Sequence, residues 1–353
     1  MKTALFNEHQ RLGAKFIDFA GWQMPLQYQG ILSEHLTVRS SAGLFDVSHM
    51  GILEIKGRQA TDFLQSLIPT PISKKAHQTA TYTLFCSNSG VTIDDVIVYK
   101  LSSEHLLVIV NAANRTKDLN HLTSHLSSFE VSVTPLFDRY GILALQGPKS
   151  EEVLKQVFPL IPPLLPMHFQ VFQNTQMIIA RTGYTGELGY ELVVPTPLLQ
   201  STWQSLLSFP FVKPCGLGCR DTLRLEMGYA LYGHELSDSK CPLGSVSAWT
   251  IRLDQHSFLG KEALLAAQQT HSYSLAYGLI FKGKAIAREG FPVLKDGKKI
   301  GVVTSGSFSP TLNTPIALML SLEKLQIGEQ VEVLIRDQKQ VGEVHPLPFI
   351  QRK

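Results

Sequence analysis

Gly90-Val-Thr-Ile-Asp-Asp-Val-Ile-Val-Tyr99 sets two adjacent carboxylates, Asp94 and Asp95, just before an apolar β-branched run. Strands generally avoid Asp, so the placement needs a reason. In an extended segment successive side chains point to opposite faces. Asp95 therefore shares a face with Ile93, Ile97 and Tyr99, whereas Asp94 points away with Val96 and Val98. This separation argues against a carboxylate dyad sharing one proton. One Asp is expected to work in a pocket, while the other caps, pairs or faces water.

Working outward, strand-like runs at 81–85, 95–101 and 105–110 are followed by a helical stretch over 116–126. Residues 51–56 alternate like a strand and 60–67 read as an amphipathic helix, so this block of the chain is an α+β unit. A further strand at 142–146 stops at Gly147-Pro148. Pro148 is expected to sit at the start of a helix over 149–158, where its missing amide costs least. Proline density over 159–166 marks a linker. Segments 177–181 and 190–194 flank the glycine-rich turn Gly183-Tyr-Thr-Gly-Glu-Leu-Gly189 and read as a hairpin. Helices are expected at 32–40, 198–207 and 221–229. From about Ala276 strands are short and turns frequent, the pattern of a small all-β barrel.

Composition narrows the class. A chain of 353 residues with 44% hydrophobic and 17% charged residues is folded and core-rich. At about 100–200 residues per domain, two or three domains are expected. The formal charge of +3 comes from scattered lysines and arginines, which excludes the basic stripe of a nucleic-acid binder. No apolar run approaches the roughly 20 residues that span a bilayer. The N-terminal residues carry no signal or transit character, so a cytoplasmic location is expected. Four cysteines are too few for a disulfide scaffold, and free thiols are expected.

Metal sites are not indicated by spacing. His121 and His125 stand four apart, but Leu122 occupies the position where the zincin pattern needs Glu, so both read as exposed helical histidines. Cys215-Gly-Leu-Gly-Cys219 lacks the spacing of zinc knuckles and has no second pair. Ser48-His49 has no nucleophile elbow around it and reads as a turn and cap. Three positions resist such readings. Asp95 shares a strand face with apolar residues, where an unpaired carboxylate is costly. Glu191 opens a strand directly after the glycine-rich turn, on the face of Val193. Arg220 stands at a helix start after Gly218, able to project into a cleft.

Taken together, these segments resemble the aminomethyltransferase (T protein) family of the glycine cleavage system, almost end to end. The matching stretches are Phe19-Ala-Gly-Trp-Gln-Met-Pro25, Arg39 with Ala42-Gly-Leu-Phe-Asp-Val-Ser-His-Met-Gly51, Ile93-Asp-Asp-Val-Ile-Val-Tyr99, Val110-Asn-Ala-Ala-Asn114 and Leu145-Gln-Gly-Pro148. Arg181-Thr-Gly-Tyr-Thr-Gly-Glu187, Gly216-Leu-Gly-Cys-Arg-Asp221, Arg224-Leu-Glu226 and Thr304-Ser-Gly-Ser-Phe-Ser-Pro310 continue them in order.

The resemblance implies an α+β fold, a three-domain cloverleaf around a central folate pocket with a C-terminal β-barrel. It implies a first domain of 1–52 plus 140–235, a second, ferredoxin-like domain of 53–139, and a barrel domain with its linker over 236–353. The implied reaction converts aminomethyl-lipoyl H protein and tetrahydrofolate to ammonia, 5,10-methylenetetrahydrofolate and dihydrolipoyl-H protein. Tetrahydrofolate is the co-substrate, and lipoate is carried on the H protein. Functional association with the decarboxylating glycine dehydrogenase and dihydrolipoyl dehydrogenase follows; no nucleic acid, membrane or metal does. Asp95 takes the place of the catalytic aspartate. Tyr82, Ile97, Tyr99, Asn111, Glu191, Arg220 and Tyr229 fall at substrate-binding positions. A non-catalytic folate-binding relative of iron–sulfur protein maturation would carry Lys-Gly-Cys-aromatic, but Ser239-Lys-Cys-Pro-Leu-Gly244 lacks the intervening Gly and the aromatic. Folate-dependent demethylases are usually fused to a flavin domain, and no dinucleotide fingerprint stands here.

Overall fold

The computed structural model describes residues 1–336 and 338–351. Its contacts divide them into two units, one of residues 1–66, 71–83 and 96–220, the other of 67–70, 84–95 and the described residues from 221 onward.

In the first unit a six-stranded sheet runs in the order Phe169–Phe172, Met177–Ala180, Gly189–Pro195, Tyr140–Gln146, Ala42–Asp46 and Val212–Pro214. Neighbours are antiparallel except for the last pair. Strand alternation assigns the two faces. Tyr190, Leu192 and Val194 join Leu143 and Leu145 in a core closed by Val153, Leu199 and Trp203 of the helices Ser150–Val157 and Thr196–Leu207. Glu191 and Val193 are thereby left to the opposite face. Pro148 directly precedes Lys149, which caps the first helix, so the helix starts one residue later than the expected 149. The turn before it is made by Gly147, with φ of 129°, where a Cβ would lie 2.4 Å from the Ser41 carbonyl oxygen.

The strand Thr92–Lys100 begins earlier than the sequence suggested, so both aspartates lie inside it. It belongs to a five-stranded sheet ordered Thr79–Cys86, Thr92–Lys100, His105–Val110, Gly51–Lys56 and Ser132–Pro135. Alternation holds: Asp94, Val96 and Val98 are buried, whereas Ile93, Asp95 and Ile97 are half-buried. The option that Asp94 faces water is therefore corrected; at 0% exposure it lies on the core side. The expected exposed histidine pair is corrected too. His121 is buried in the helix Arg115–Thr123, and His125 lies beyond the helix end with its Nδ1 at 2.8 Å from the His121 carbonyl oxygen.

The second unit contains a closed six-stranded barrel, Leu275–Phe281, Thr314–Ser321, Lys298–Ser309, Pro292–Lys295, Gln330–Ile335 and Gln338–His345 in spatial order. Val331, Val333 and Ile335 alternate inward to meet Leu279, Val303, Met319 and Val344. Closure leaves no edge strand to be protected. Beside it, Leu84 and Cys86 pack with Leu236, Ile251, Phe258 and Leu264.

The helix Leu217–Glu226 starts four residues before the expected 221. Its Arg224 is 2% exposed, and its guanidinium donates to Asp221, to the Tyr229 carbonyl, to Glu235 and to the Ser305 hydroxyl at 2.8–3.0 Å. Glu226, 0% exposed, accepts from the Ser309 hydroxyl and from the amide and hydroxyl of Thr311. Two sequence motifs, Arg224-Leu-Glu226 and Thr304–Pro310, are thus halves of one buried polar lattice.

Breaking a buried ion pair by removing one partner costs about 3–5 kcal/mol, because the other charge is stranded. Arg224→Met is expected to lower stability by about that amount in chemical denaturation. A loss under about 1 kcal/mol would show that the lattice is not needed to hold Glu235.

Candidate active site

The loop between Met177–Ala180 and Gly189–Pro195 carries Arg181-Thr-Gly-Tyr-Thr-Gly-Glu187, and its shape is set by Gln146. The Gln146 amide donates to the Thr182 carbonyl at 3.2 Å, and its oxygen accepts from the Thr185 hydroxyl at 2.9 Å. Gly183 and Gly189 permit this approach, since a Cβ on either would stand 2.1–2.4 Å from the Gln146 amide group. From the other side Arg39 donates to the Thr185 carbonyl at 2.7 Å and to Glu187 at 2.9 Å.

That loop presents Thr182 and Tyr184 to the sheet face opposite the helices. The Thr182 hydroxyl donates to Glu191 Oε2 at 2.6 Å, and the Tyr99 hydroxyl lies 3.5 Å from Thr182 Oγ1. Tyr99 is 1% exposed and stacked on Phe169 with centroids 5.1 Å apart. Burial, helped by the Glu191 charge, raises its hydroxyl pKa, so it stays protonated. The Arg220 guanidinium lies over the Tyr184 ring, 4.6 Å from its centroid. Burial lowers the Arg220 pKa, and the charge of Glu191 offsets part of that penalty. Arg220 Nη1 is enclosed with no hydrogen-bond partner among the described residues. Glu191, 8% exposed, has one oxygen on Thr182 and the other unspent among those residues. The Glu191 carboxylate offers acceptors and the Arg220 guanidinium donors, within reach of each other's charge, a combination that suits a flat ligand with a donor edge beside a carbonyl.

His49 belongs to the same unit and is not the cap that its sequence suggested. Ser48 does the turn's work, with its amide on Asp46 at 2.9 Å and its hydroxyl accepting from the Ile142 amide at 3.0 Å. The His49 ring is 5% exposed and meets Phe19 edge-on at 5.5 Å. Burial, with the Arg220 and Arg115 charges, pushes its pKa down to about 4 against an opposing pull from Asp46. Its Nδ1 is enclosed without a partner among the described residues.

Of the residues singled out in the sequence, Tyr82, Ile97, Tyr99, Asn111, Glu191 and Arg220 lie in the first unit, and Asp95 and Tyr229 in the second. Glu191, Arg220 and Tyr99 come together through Thr182 and Tyr184. Tyr82 and Ile97 are half-buried on adjacent strands, and Asn111 follows directly after the strand His105–Val110. Tyr229 is 36% exposed just past the helix Leu217–Glu226. Thr182, Tyr184 and Gln146 went unassigned by sequence reasoning, although the motifs containing them were visible. Their roles depend on pairings across 36–39 residues of chain.

Fold and site define an enzyme-like centre: a buried carboxylate and guanidinium in an α+β unit, in a chain that ends in a closed barrel. Residues 5–255 match the GCVT N-terminal domain, and residues 276–351 match the glycine cleavage T-protein C-terminal barrel domain. An aminomethyltransferase of Chlorobium phaeovibrioides is 42% identical over 99% of this chain and 98% of that protein. One of Desulfitobacterium hafniense is 40% identical over 100% and 98%. The crystal structure of glycine cleavage system aminomethyltransferase T from Bartonella henselae superimposes with a TM-score of 0.94 at 32% identity, over 99% of this chain and 98% of that one. The chain belongs to the glycine cleavage T-protein family, a family of aminomethyl-transferring enzymes. Among the described residues no helix is long and apolar enough to cross a membrane.

His49 makes a stability prediction with a defined sign. It titrates near 6.5 in the unfolded chain and near 4 in the folded one. Between those values the unfolded chain holds more protons, so stability falls as pH drops through the window and levels off below it. At about 1.4 kcal/mol per unit, His49 contributes a loss of up to about 3 kcal/mol. Denaturation series from pH 7 to 4 are expected to show a shallower decline in His49→Gln; identical slopes would sink the assignment.

Proposed function

We propose that this chain transfers the aminomethyl carbon from the lipoyl arm of the H protein to tetrahydrofolate, releasing ammonia and leaving 5,10-methylenetetrahydrofolate and dihydrolipoyl-H protein. The observation that carries the reading is the Glu191–Arg220 arrangement, in a chain similar to aminomethyltransferases over its whole length. A pterin ring presents an amidine-like donor edge next to a carbonyl oxygen. The Glu191 oxygen that Thr182 does not take suits the first, and Arg220 Nη1, unpartnered among the described residues, suits the second. When bound, tetrahydrofolate supplies the nitrogen nucleophiles that accept the one-carbon unit.

Each residue then has a task. Glu191 and Arg220 orient the ligand, with Thr182 holding the Glu191 carboxylate and Tyr99 meeting Thr182 from behind. Tyr82, Ile97, Asn111 and Tyr229 are each assigned to substrate binding, as the family resemblance implies. Asp95 is the catalytic group: a carboxylate on the half-open face of its strand holds the nitrogen that receives the carbon and stabilises the positive charge that grows as the carbon–sulfur bond breaks. Most of the acceleration comes from holding a carrier-borne carbon against a bound nucleophile. The reading places the chain in the cytoplasm, in functional association with the lipoylated H protein, the decarboxylating glycine dehydrogenase and dihydrolipoyl dehydrogenase. It also divides the chain into three domains, of 1–52 with 140–235, of 53–139 and of 236–353.

An H-protein-dependent assay of methylenetetrahydrofolate formation, paired with a folate-binding titration, tests the roles separately. Asp95→Asn is expected to lose roughly 10²–10³ in kcat while still binding folate. Full turnover in that variant removes Asp95 from the chemistry. Glu191→Gln is expected to weaken folate binding by about tenfold or more, the loss of a charged hydrogen bond of about 1.5–3 kcal/mol. Unchanged folate affinity would reject Glu191 as the anchor.

A further inference from the structure

Cys215 and Cys219 lack zinc-knuckle spacing in the sequence, but the fold adds a third ligand to them. Glu34, from the first turn of the helix Ile31–Ser40, brings its carboxylate to the two thiols at the start of the helix Leu217–Glu226. One carboxylate oxygen and the two sulfurs lie within 4.8 Å of one another. All three side chains are buried, Glu34 and Cys215 at 2% exposure and Cys219 at 0%. We propose that Glu34, Cys215 and Cys219 form a binding site for a thiophilic divalent cation of the zinc or cadmium class.

The geometry is pre-built. Glu34 Oε1 accepts from the amides of Tyr28, Gln29 and Gly30 at 2.6–3.2 Å, which fixes the carboxylate plane. Oε2 accepts a single backbone bond, from the Gly216 amide at 2.8 Å, and is the oxygen with capacity left. Close packing holds the sulfurs: a Cβ on Gly43 would lie 2.7 Å from Cys215 Sγ, and one on Gly216 would lie 2.3 Å from the Leu26 carbonyl oxygen. Metal–sulfur bonds of about 2.3 Å and metal–oxygen bonds of about 2.0–2.2 Å need only side-chain adjustment from such a cluster. Backbone carbonyls are at hand for the fourth position, since the thiols already donate to the oxygens of Lys213 at 3.5 Å and Gly216 at 3.4 Å.

Charge balance favours occupancy. Binding breaks two S–H bonds, sends two protons to solvent and forms two metal–thiolate bonds; no electron moves. A dication enters as two protons leave, so the enclosed net charge stays at the single negative charge of Glu34. Four backbone amides and the N-terminal end of the Leu217–Glu226 helix already accommodate that charge. An occupied site would lock the helical turn that carries Arg220, the residue next to Cys219. It would do so without touching the ligand-binding groups themselves.

Cobalt(II) titrated into the chelator-stripped full chain is the test. We expect a thiolate-to-cobalt charge-transfer band that saturates at one equivalent, collapses on adding zinc, and is lost in Cys219→Ala and in the near-isosteric Cys219→Ser. The band should persist in Cys86→Ala, which removes a different buried thiol. Zinc should raise the melting temperature of the parent chain but not of a folded Cys219 variant. Absence of a band in the parent chain overturns the proposal. So does a band that survives both Cys219 substitutions or disappears in Cys86→Ala.

Discussion

Glu191 is a carboxylate held 8% exposed on a β-sheet, and much of the first unit is arranged to make that tolerable. An ionised group removed from water is costly unless it is paired and hydrogen-bonded. Here the compensation is partial by construction. Thr182 satisfies one oxygen and the Glu191 charge offsets part of the burial of Arg220, yet one Glu191 oxygen and Arg220 Nη1 are left over among the described residues. Partial compensation of this kind costs stability, and under the proposed function the folate ligand completes the set.

The same logic explains why so many recognisable motifs carry no chemistry. Gln146, Gly183, Gly189 and Arg39 shape one loop so that Thr182 and Tyr184 arrive where Glu191 and Arg220 need them. In the second unit, Arg224 and Glu226 are fully engaged with Ser305, Ser309, Thr311 and Glu235. Asp46 is another example. Burial alone would raise its pKa, but hydrogen bonds from His9, Ser48 and Thr3 hold it below the usual carboxylate value. Saturated charges hold the framework, and the unsaturated ones are those that the proposed function assigns to the ligand.

Buried thiols follow a third pattern. Burial and the neighbouring Cys241 push the Cys86 thiol up to about 12, so it packs as an apolar group. Cys215 and Cys219 instead sit against a carboxylate that the backbone already stabilises, which gives them a use that their spacing along the chain conceals.

Local pattern determined much of this protein. Period-two alternation located the strands, glycine and proline marked the turns, and the change of texture near Ala276 announced the barrel. Alternation also separated Asp94 from Asp95 correctly, because side-chain direction in an extended strand is a property of the backbone alone. It could not say which face was the core; the packing of Val96 and Val98 decided that, and turned Asp94 inward instead of toward water. Helix boundaries shifted for a similar reason, since tertiary contacts settle where a helix starts. The joining of Glu191 to Thr182, of Gln146 to the glycine-rich loop, of His49 to two arginine charges and of Glu34 to two distant cysteines was decided only by the tertiary structure. Each depends on side chains far apart in the chain, and on electrostatic terms that exist only once folding has removed the water between them.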